Sequence, residues 1–351
     1  MFGDRLKIAR KRAGLSLRDL SAKLGSIVSA QAIGKYERGE MAPSSAILLG
    51  LSKALDVSIP YLMSPLESKL SKVEFRAKST TTEKDRAKVE TVVLEWVDRY
   101  LEIERILELD SASWKAPFEP REISALDEAE ILANEVRSRW SLGLDPIANI
   151  IELFEDHGLK VLLDDLPEKV FGLTCIATQP NKVDVPVIVV NQKSTLERRR
   201  LTLAHELAHR LISDSDSMTQ KFEEHAATRF ASAFLMPKDH VLMRVGKHRF
   251  SIGYSEIVYF KKLYKVSAAA FVCRLKELEV ITPEALTYIF QSMGRSWRRT
   301  EPEPLQNDET PARFRALCFR ALSEGLISKS KAAELLRENI ESVERELRGP
   351  Q

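Results

Sequence analysis

Apolar residues return at three- and four-residue intervals along most of this chain, the spacing of helices with one buried face. Near the start, Leu6, Leu17, Leu20, Leu24, Ile33, Leu51, Leu55 and Leu62 follow that spacing. Gly14 and Gly39 punctuate it, and Pro43 and Pro60 mark boundaries, so residues 1–65 are predicted to form about five short helices. Farther on, Val89, Val92, Val93, Trp96, Val97, Tyr100, Leu101 and Leu107 predict one long helix with an apolar face. A lone helix cannot bury such a face, so it either pairs with its copy in a homodimer, the reading favoured here, or packs on a neighbouring domain. Helices are predicted from Leu126 to Trp140 and from Pro146 to His157. The pattern then changes to strands at Lys160 to Leu163, Phe171 to Ala177 and Val185 to Asn191. Two helices follow, and beyond Pro237 the chain reads as helical. The exception is a polar loop from Gln291 to Thr310, where Arg295, Arg298 and Arg299 surround Trp297.

The fold class is therefore multidomain and mainly α with an α+β centre. A five-helix domain spans residues 1–65, a charged helical linker 66–118, a small sheet with its helices 119–245 and a helical C-terminal domain 246–351. The strands precede the helices that follow them, which predicts a sheet packed on one side and an open edge able to receive an extended peptide.

With 351 residues, 44% hydrophobic and 30% charged, the composition is that of a globular protein with a core and excludes a disorder-dominated chain. No apolar run reaches membrane-spanning length and the N-terminus is charged, so neither a membrane span nor a signal peptide is expected, and the protein is placed in the cytoplasm. Cys175, Cys273 and Cys318 are far apart with no CxxC spacing. That fits a reducing compartment and argues against a thiolate metal site. The whole chain nets only +2, yet residues 1–65 hold ten Lys or Arg against five Asp or Glu, a concentration of charge that a polyanion could use.

The sharpest chemical feature is His205-Glu206-Leu207-Ala208-His209. On a helix, residues i and i+4 share a face, so both imidazoles point at one metal ion, while Glu206 lies about 100° round and reaches a water without being a ligand. Ser194 with Glu197 reads as a capping-box start, and Leu201, Ala204, Leu207, Ala208 and Leu211 give the buried stripe of that helix. Catalytic Zn2+ takes three protein ligands and an open fourth position. The helix from Lys221 to Met236 is the place for the third, and Glu224, Ala227, Thr228 and Ala231 share one of its faces. Glu224 is the choice from spacing, with Glu223 and His225 left open beside it. Glu206 is the candidate base, and His225, Arg229, His240 and Tyr254 are candidate donors to a developing oxyanion.

The runs TLAHELAH (202–209) and EEHAATRFASAFLMP (223–237) resemble the zinc metallopeptidases of the ImmA/IrrE type, over about Glu119 to Pro237. The family pattern of an acidic residue, a small residue three positions on and then Phe-Ala falls on Glu224, Ala227, Phe230 and Ala231, which favours Glu224 over Glu223. The resemblance implies a zincin-like centre, with Zn2+ held by His205, His209 and Glu224, that hydrolyses peptide bonds, often in repressors.

The run GLSLRDLSAKLGSIVSAQAIGKYERGEMAPS (14–44) resembles the helix-turn-helix of the XRE or Cro/C1-repressor family, and the likeness covers residues 3–63. It implies binding to a double-stranded DNA operator, with Ser16 capping the second helix and Ser29 through Arg38 forming the recognition helix. Gln31 is then the base reader, while Arg18, Ser29 and Lys35 anchor phosphates and Arg38 is structural beside Glu37. Ala30 and Gly34 depart from the family pattern, and Gly34 lowers the helix propensity of the recognition helix. Two functions follow. One is a DNA-binding regulator carrying an active zinc endopeptidase that cleaves a repressor or itself. The other is a non-proteolytic regulator or antitoxin-like protein whose peptidase fold senses a ligand or binds a partner.

Overall fold

The computed structural model describes residues 2–66, 68–77, 81–109, 114–167, 170–179, 183–213, 219–297, 299–306 and 308–349. Five helices open the chain: α1 (Phe2–Arg12), α2 (Leu17–Lys23), α3 (Ala30–Glu37), α4 (Ser45–Leu55) and α5 (Ile59–Met63). Ser16, Ser29, Ser44 and Ser58 each accept a hydrogen bond from the backbone N–H three residues on, filling donors that a helix start leaves open. Ser16 caps α2 as expected, and Asp19 answers it to form a capping box. Leu6, Leu20, Ile33, Leu51, Leu55 and Leu62 meet in a core of their own. Helix α1 crosses α3 so closely that a Cβ on Gly3 would lie 2.5 Å from the carbonyl oxygens of Tyr36 and Glu37.

The segment read as a helical linker begins instead with a strand, β1 (Lys69–Ala77), and only then runs into α6 (Glu83–Ile106). A bulge between Ser71 and Glu74 breaks the two-residue alternation that would have announced the strand. Helix α7 (Leu126–Arg139) and the strands β2 (Lys160–Asp164), β3 (Val170–Thr178) and β4 (Val185–Asn191) lie close to their predicted bounds, whereas α8 (Ile150–Asp156) starts four residues after the predicted Pro146, where Asn149 caps it. The sheet order is β1-β3-β4-β2. The β1–β3 and β3–β4 pairs are antiparallel and the β2–β4 pair is parallel.

Both faces of the sheet are covered, not one. Val161, Ile188 and Val190 face a core shared with α7, α8, the paired helices α9 (Leu196–Leu211) and α10 (Gln220–Leu235), and α12 (Tyr254–Tyr264) and α13 (Ala268–Glu277). On the opposite face Leu162, Leu173, Val187 and Val189 meet Val89, Val93, Trp96 and Tyr100 of α6, together with α15 (Arg313–Ser323) and α16 (Lys329–Leu336). Strand β4 is therefore apolar at successive positions, as a strand covered on both faces must be. The apolar face of α6 that suggested a dimer is buried within the chain.

The five-helix domain docks on this body. Arg5 forms a buried ion pair with Asp98 and donates to the Pro65 carbonyl at 2.7 Å. Arg12 meets Glu95 at 2.9 Å, Arg337 grips the same carboxylate, and Ser58 donates to Glu334. The loop expected to be solvated is stitched down as well. Trp297 is buried against Phe290, and Glu309 forms a buried ion pair with Arg200 of α9; Arg298 lies outside the described residues. Polar composition concealed that loop because its carboxylate answers a buried cation. Among the described residues no helix is long and apolar enough to cross a membrane.

Candidate metal centre and nucleic-acid interface

Helix α9 begins one residue later than the capping pattern suggested. Thr195, not Ser194, accepts the Arg198 N–H, and Glu197 turns inward to a fully buried ion pair with Lys261 at 2.9 Å. The helix is buried along nearly its whole length, and α10 packs along it through Ala226, Ala227, Phe230 and Ala231. These small residues bring the two helices together, and the acidic start of α10 arrives opposite the two histidines.

There His205, His209 and Glu224 each present a ligand atom within 4.8 Å of the others. The two Nε2 atoms stand 3.1 Å apart, His205 Nε2 is 3.3 Å from Glu224 Oε2, and His209 Nε2 is 3.9 Å from Glu224 Oε1. Ligand atoms about 2.0–2.1 Å from a tetrahedral Zn2+ are about 3.3 Å from one another, so the set is nearly at its bound spacing.

The outer nitrogens favour the same conclusion. His209 Nδ1 is 2.8 Å from Glu223 Oε1, and His205 Nδ1 is 3.4 Å from Thr228 Oγ1. A carboxylate only accepts, so Nδ1 of His209 carries the proton and its Nε2 turns a lone pair toward His205. Two such nitrogens at 3.1 Å can share either a proton or a cation, and the Glu224 carboxylate facing both of them is what suits the group to a cation. The residues present therefore fit zinc. His205 is 2% exposed and Glu206 6%, whereas the Glu224 side chain is 53% exposed, so the site is walled on the α9 side and open on the α10 side.

Of the side chains that spacing left open, Glu224 faces both imidazoles and Glu223 supports one from behind. Exposed His225, with Thr228 and Arg229, lines a cavity of about 760 Å³ between α10 and the segment following α13. Arg229 is spent on Glu130 at 2.6 Å and Glu277 at 3.2 Å, and buried His240 meets the Tyr264 hydroxyl at 3.1 Å. Tyr254 opens α12 at the surface. The orienting role of Glu223 was not read from sequence, although two adjacent carboxylates opposite a His pair are its signal.

In the N-terminal domain, Arg18, Ser29, Gln31 and Lys35 are all exposed, clear of the docking face. Ser29 is the N-cap of α3, its oxygen accepting the Ala32 N–H at 3.1 Å, and Gln31 is the second residue of the helix, in its first turn. Gly34 is buried, and a Cβ there would come within 3.2 Å of the tip of the Arg38 side chain and make ordinary contact with Leu17 at 3.6 Å. Arg38 pairs with Glu40 at 2.5 Å, not with Glu37, which Arg10 holds at 2.6 Å. Arg5, Arg10 and Arg12 are bound to carboxylates, so part of the basic excess serves folding and docking rather than DNA.

Two protein families match the chain. The family described as Helix-turn-helix covers residues 6–62, and the IrrE N-terminal-like domain covers residues 154–276. No curated protein and no solved structure matches it. The chain thus joins an XRE-type helix-turn-helix to an ImmA/IrrE-type metallopeptidase-like domain, and the matched peptidase segment continues through α12 into α13.

Proposed function

We propose that this chain is a cytoplasmic DNA-binding transcription regulator that carries a working zinc endopeptidase and cleaves a protein, either a repressor or the chain itself. The convergence of His205, His209 and Glu224 beside Glu206 carries the reading. Bound there, Zn2+ supplies Lewis acidity, which polarises a peptide carbonyl and makes water acidic enough to attack near neutral pH. Glu206, one residue beyond His205, takes the proton from the attacking water and returns it to the leaving amine. Glu223 fixes the His209 ring in the tautomer that keeps its Nε2 lone pair inward. Gln31 reads operator bases, and Arg18, Ser29 and Lys35 hold phosphates. A homodimer supplies the two half-sites about 34 Å apart that such repressor domains use. With α6 buried, its contact lies on another surface.

The test is elemental analysis and cleavage on purified full-length protein. About one zinc per chain is expected, lost in His205→Ala and Glu224→Ala. Glu206→Gln is expected to keep zinc, fold and DNA binding while losing cleavage. Unchanged cleavage in that variant sinks the mechanism, and a metal-free wild type that still binds DNA moves the reading to a non-proteolytic regulator.

A further inference from the structure

We propose that strand β1 is a built-in occupant of the peptidase's peptide-binding edge, holding in cis the place along β3 that an extended protein substrate takes. The proposal rests on the peptidase reading above and gives that site a regulator. Strand β3 has β4 on one side, and its other side would be an open edge, the surface on which extended peptides are recognised through backbone hydrogen bonds. In this chain residues 69–77 fill that side antiparallel, from Lys69 opposite Thr178 to Ala77 opposite Val170.

The occupied edge adjoins the metal helix. Arg210, the residue after His209, donates to the Cys175 carbonyl of β3 at 2.8 Å. Cys175 is the residue that β1 skips: the register passes from Ser71 opposite Ile176 to Glu74 opposite Thr174, and Lys72 in the bulge takes a left-handed φ of 47°. One hydrogen bond thus joins the catalytic helix to β3 at the position where β1 bulges away.

Strand β1 is also the lightly held member of the sheet. None of Lys69 to Phe75 is buried, whereas six of the seven residues of β4 are. It is attached by a backbone ladder with a fault in it and by Leu70, Val73 and Phe75, which pack only partly buried against the core on the α6 side. The start of the strand is pinned instead. Buried Ser68 donates to Asp98, the carboxylate that Arg5 of the DNA-binding domain also holds, and Gln179 donates to Ser68 at 3.0 Å. Withdrawal of α1 therefore loosens the anchor of β1, which links the position of the DNA-binding domain to access at the peptidase edge.

The experiment uses full-length Glu206→Gln protein, so that no readout depends on cleavage. By hydrogen–deuterium exchange, amides in 69–77 should exchange at least about 100-fold faster than those in β4, and Arg5→Ala should accelerate them a further tenfold. A fluorescein-labelled peptide with the sequence of residues 69–77 should bind Leu70→Pro, whose β1 cannot complete the ladder, at least about tenfold tighter than the parent, because the tethered strand competes at high effective concentration. A Lys69→Cys/Thr178→Cys pair, joined across register partners, should abolish peptide binding when oxidised and return to the parent level on reduction, which keeps the test decisive if Leu70→Pro misfolds. Equal protection of β1 and β4, or equal peptide binding by the oxidised and reduced pair, overturns the proposal. A metal-free or inactive wild type with the predicted exchange and binding would instead overturn the peptidase reading and leave the occupied edge standing.

Discussion

Glu223 offers the most direct test of the metal centre, because it touches a ligand without being one. Its carboxylate lies 2.8 Å from His209 Nδ1 and its side chain is 27% exposed. A charge-assisted hydrogen bond of this kind contributes about 1.5–3 kcal/mol when shielded, and partial exposure to solvent reduces that to about 1–2 kcal/mol. Removing it frees the imidazole to rotate and to take the wrong tautomer, both of which compete with metal binding, so Glu223→Ala should weaken zinc about 5- to 30-fold. Glu223→Gln keeps an acceptor and should fall between the alanine variant and wild type. Competition with a chromophoric zinc chelator at fixed pH measures both, with Glu224→Ala and His205→Ala as the total-loss references. Thermal unfolding of the metal-free proteins supplies the control, and there Glu223→Ala should lose no more than the worth of that one hydrogen bond, because Glu223 packs no core. Zinc affinity within twofold of wild type would refute the reasoning, showing that the ring is held by the helix packing alone.

Three further outcomes follow from the geometry. Burial, opposed by the Arg313 backbone N–H and charge, pushes the Glu155 carboxyl from its ordinary 4.5 to about 7. The folded chain then holds a proton that the unfolded chain has released between those values, so this group's contribution falls as pH rises from about 4.5 to 7, by on the order of 3 kcal/mol. Glu155→Gln should therefore be more stable than wild type at pH 8 and no more stable at pH 4.5, and parallel urea curves at both pH values would contradict it. Gly3→Ala sets a methyl 2.5 Å from two α3 carbonyls and should destabilise the N-terminal domain by about 1–3 kcal/mol while weakening DNA binding, and an unchanged melting temperature would count against the close crossing. Gln31→Ala should reduce discrimination between operator and random duplex, whereas Lys35→Ala should weaken both and flatten the salt dependence; equal loss on both duplexes for Gln31→Ala would remove it as a base reader.

The elements that sequence displays are those whose chemistry is local. The i, i+4 histidines, the serine caps and the apolar stripe of α9 depend on neighbours in the chain, and they stand within a residue or so of their predicted places. Glu223 and Glu224 differ by one helical step, and spacing favoured Glu224 without excluding Glu223. In the structure both are used, one toward the imidazoles and one behind His209. Strand β1 was hidden by its own bulge, because Leu70, Val73 and Phe75 fit neither a two-residue nor a helical period. The partner of α6 was hidden for another reason. An apolar face announces that it will be covered but not by what, and here the sheet and α15 cover it.

The doubly held carboxylate of Glu95 ties α1 and the end of α16 to α6, which bears on the order of synthesis. Residues 1–65 carry a core of their own, so the DNA-binding domain can form while the ribosome is still making the sheet. Arg12 finds Glu95 once α6 has emerged, but Arg337 stands just past α16 and arrives only after α15 and α16 have been made. Until then Glu95 has only one of its two cations, and the nascent chain can present a folded DNA-reading head before its body is closed beneath it. Synthesis of α16 is thus recorded at this carboxylate, and a chain truncated before α16 would carry the head on a clamp that lacks one of its two cations.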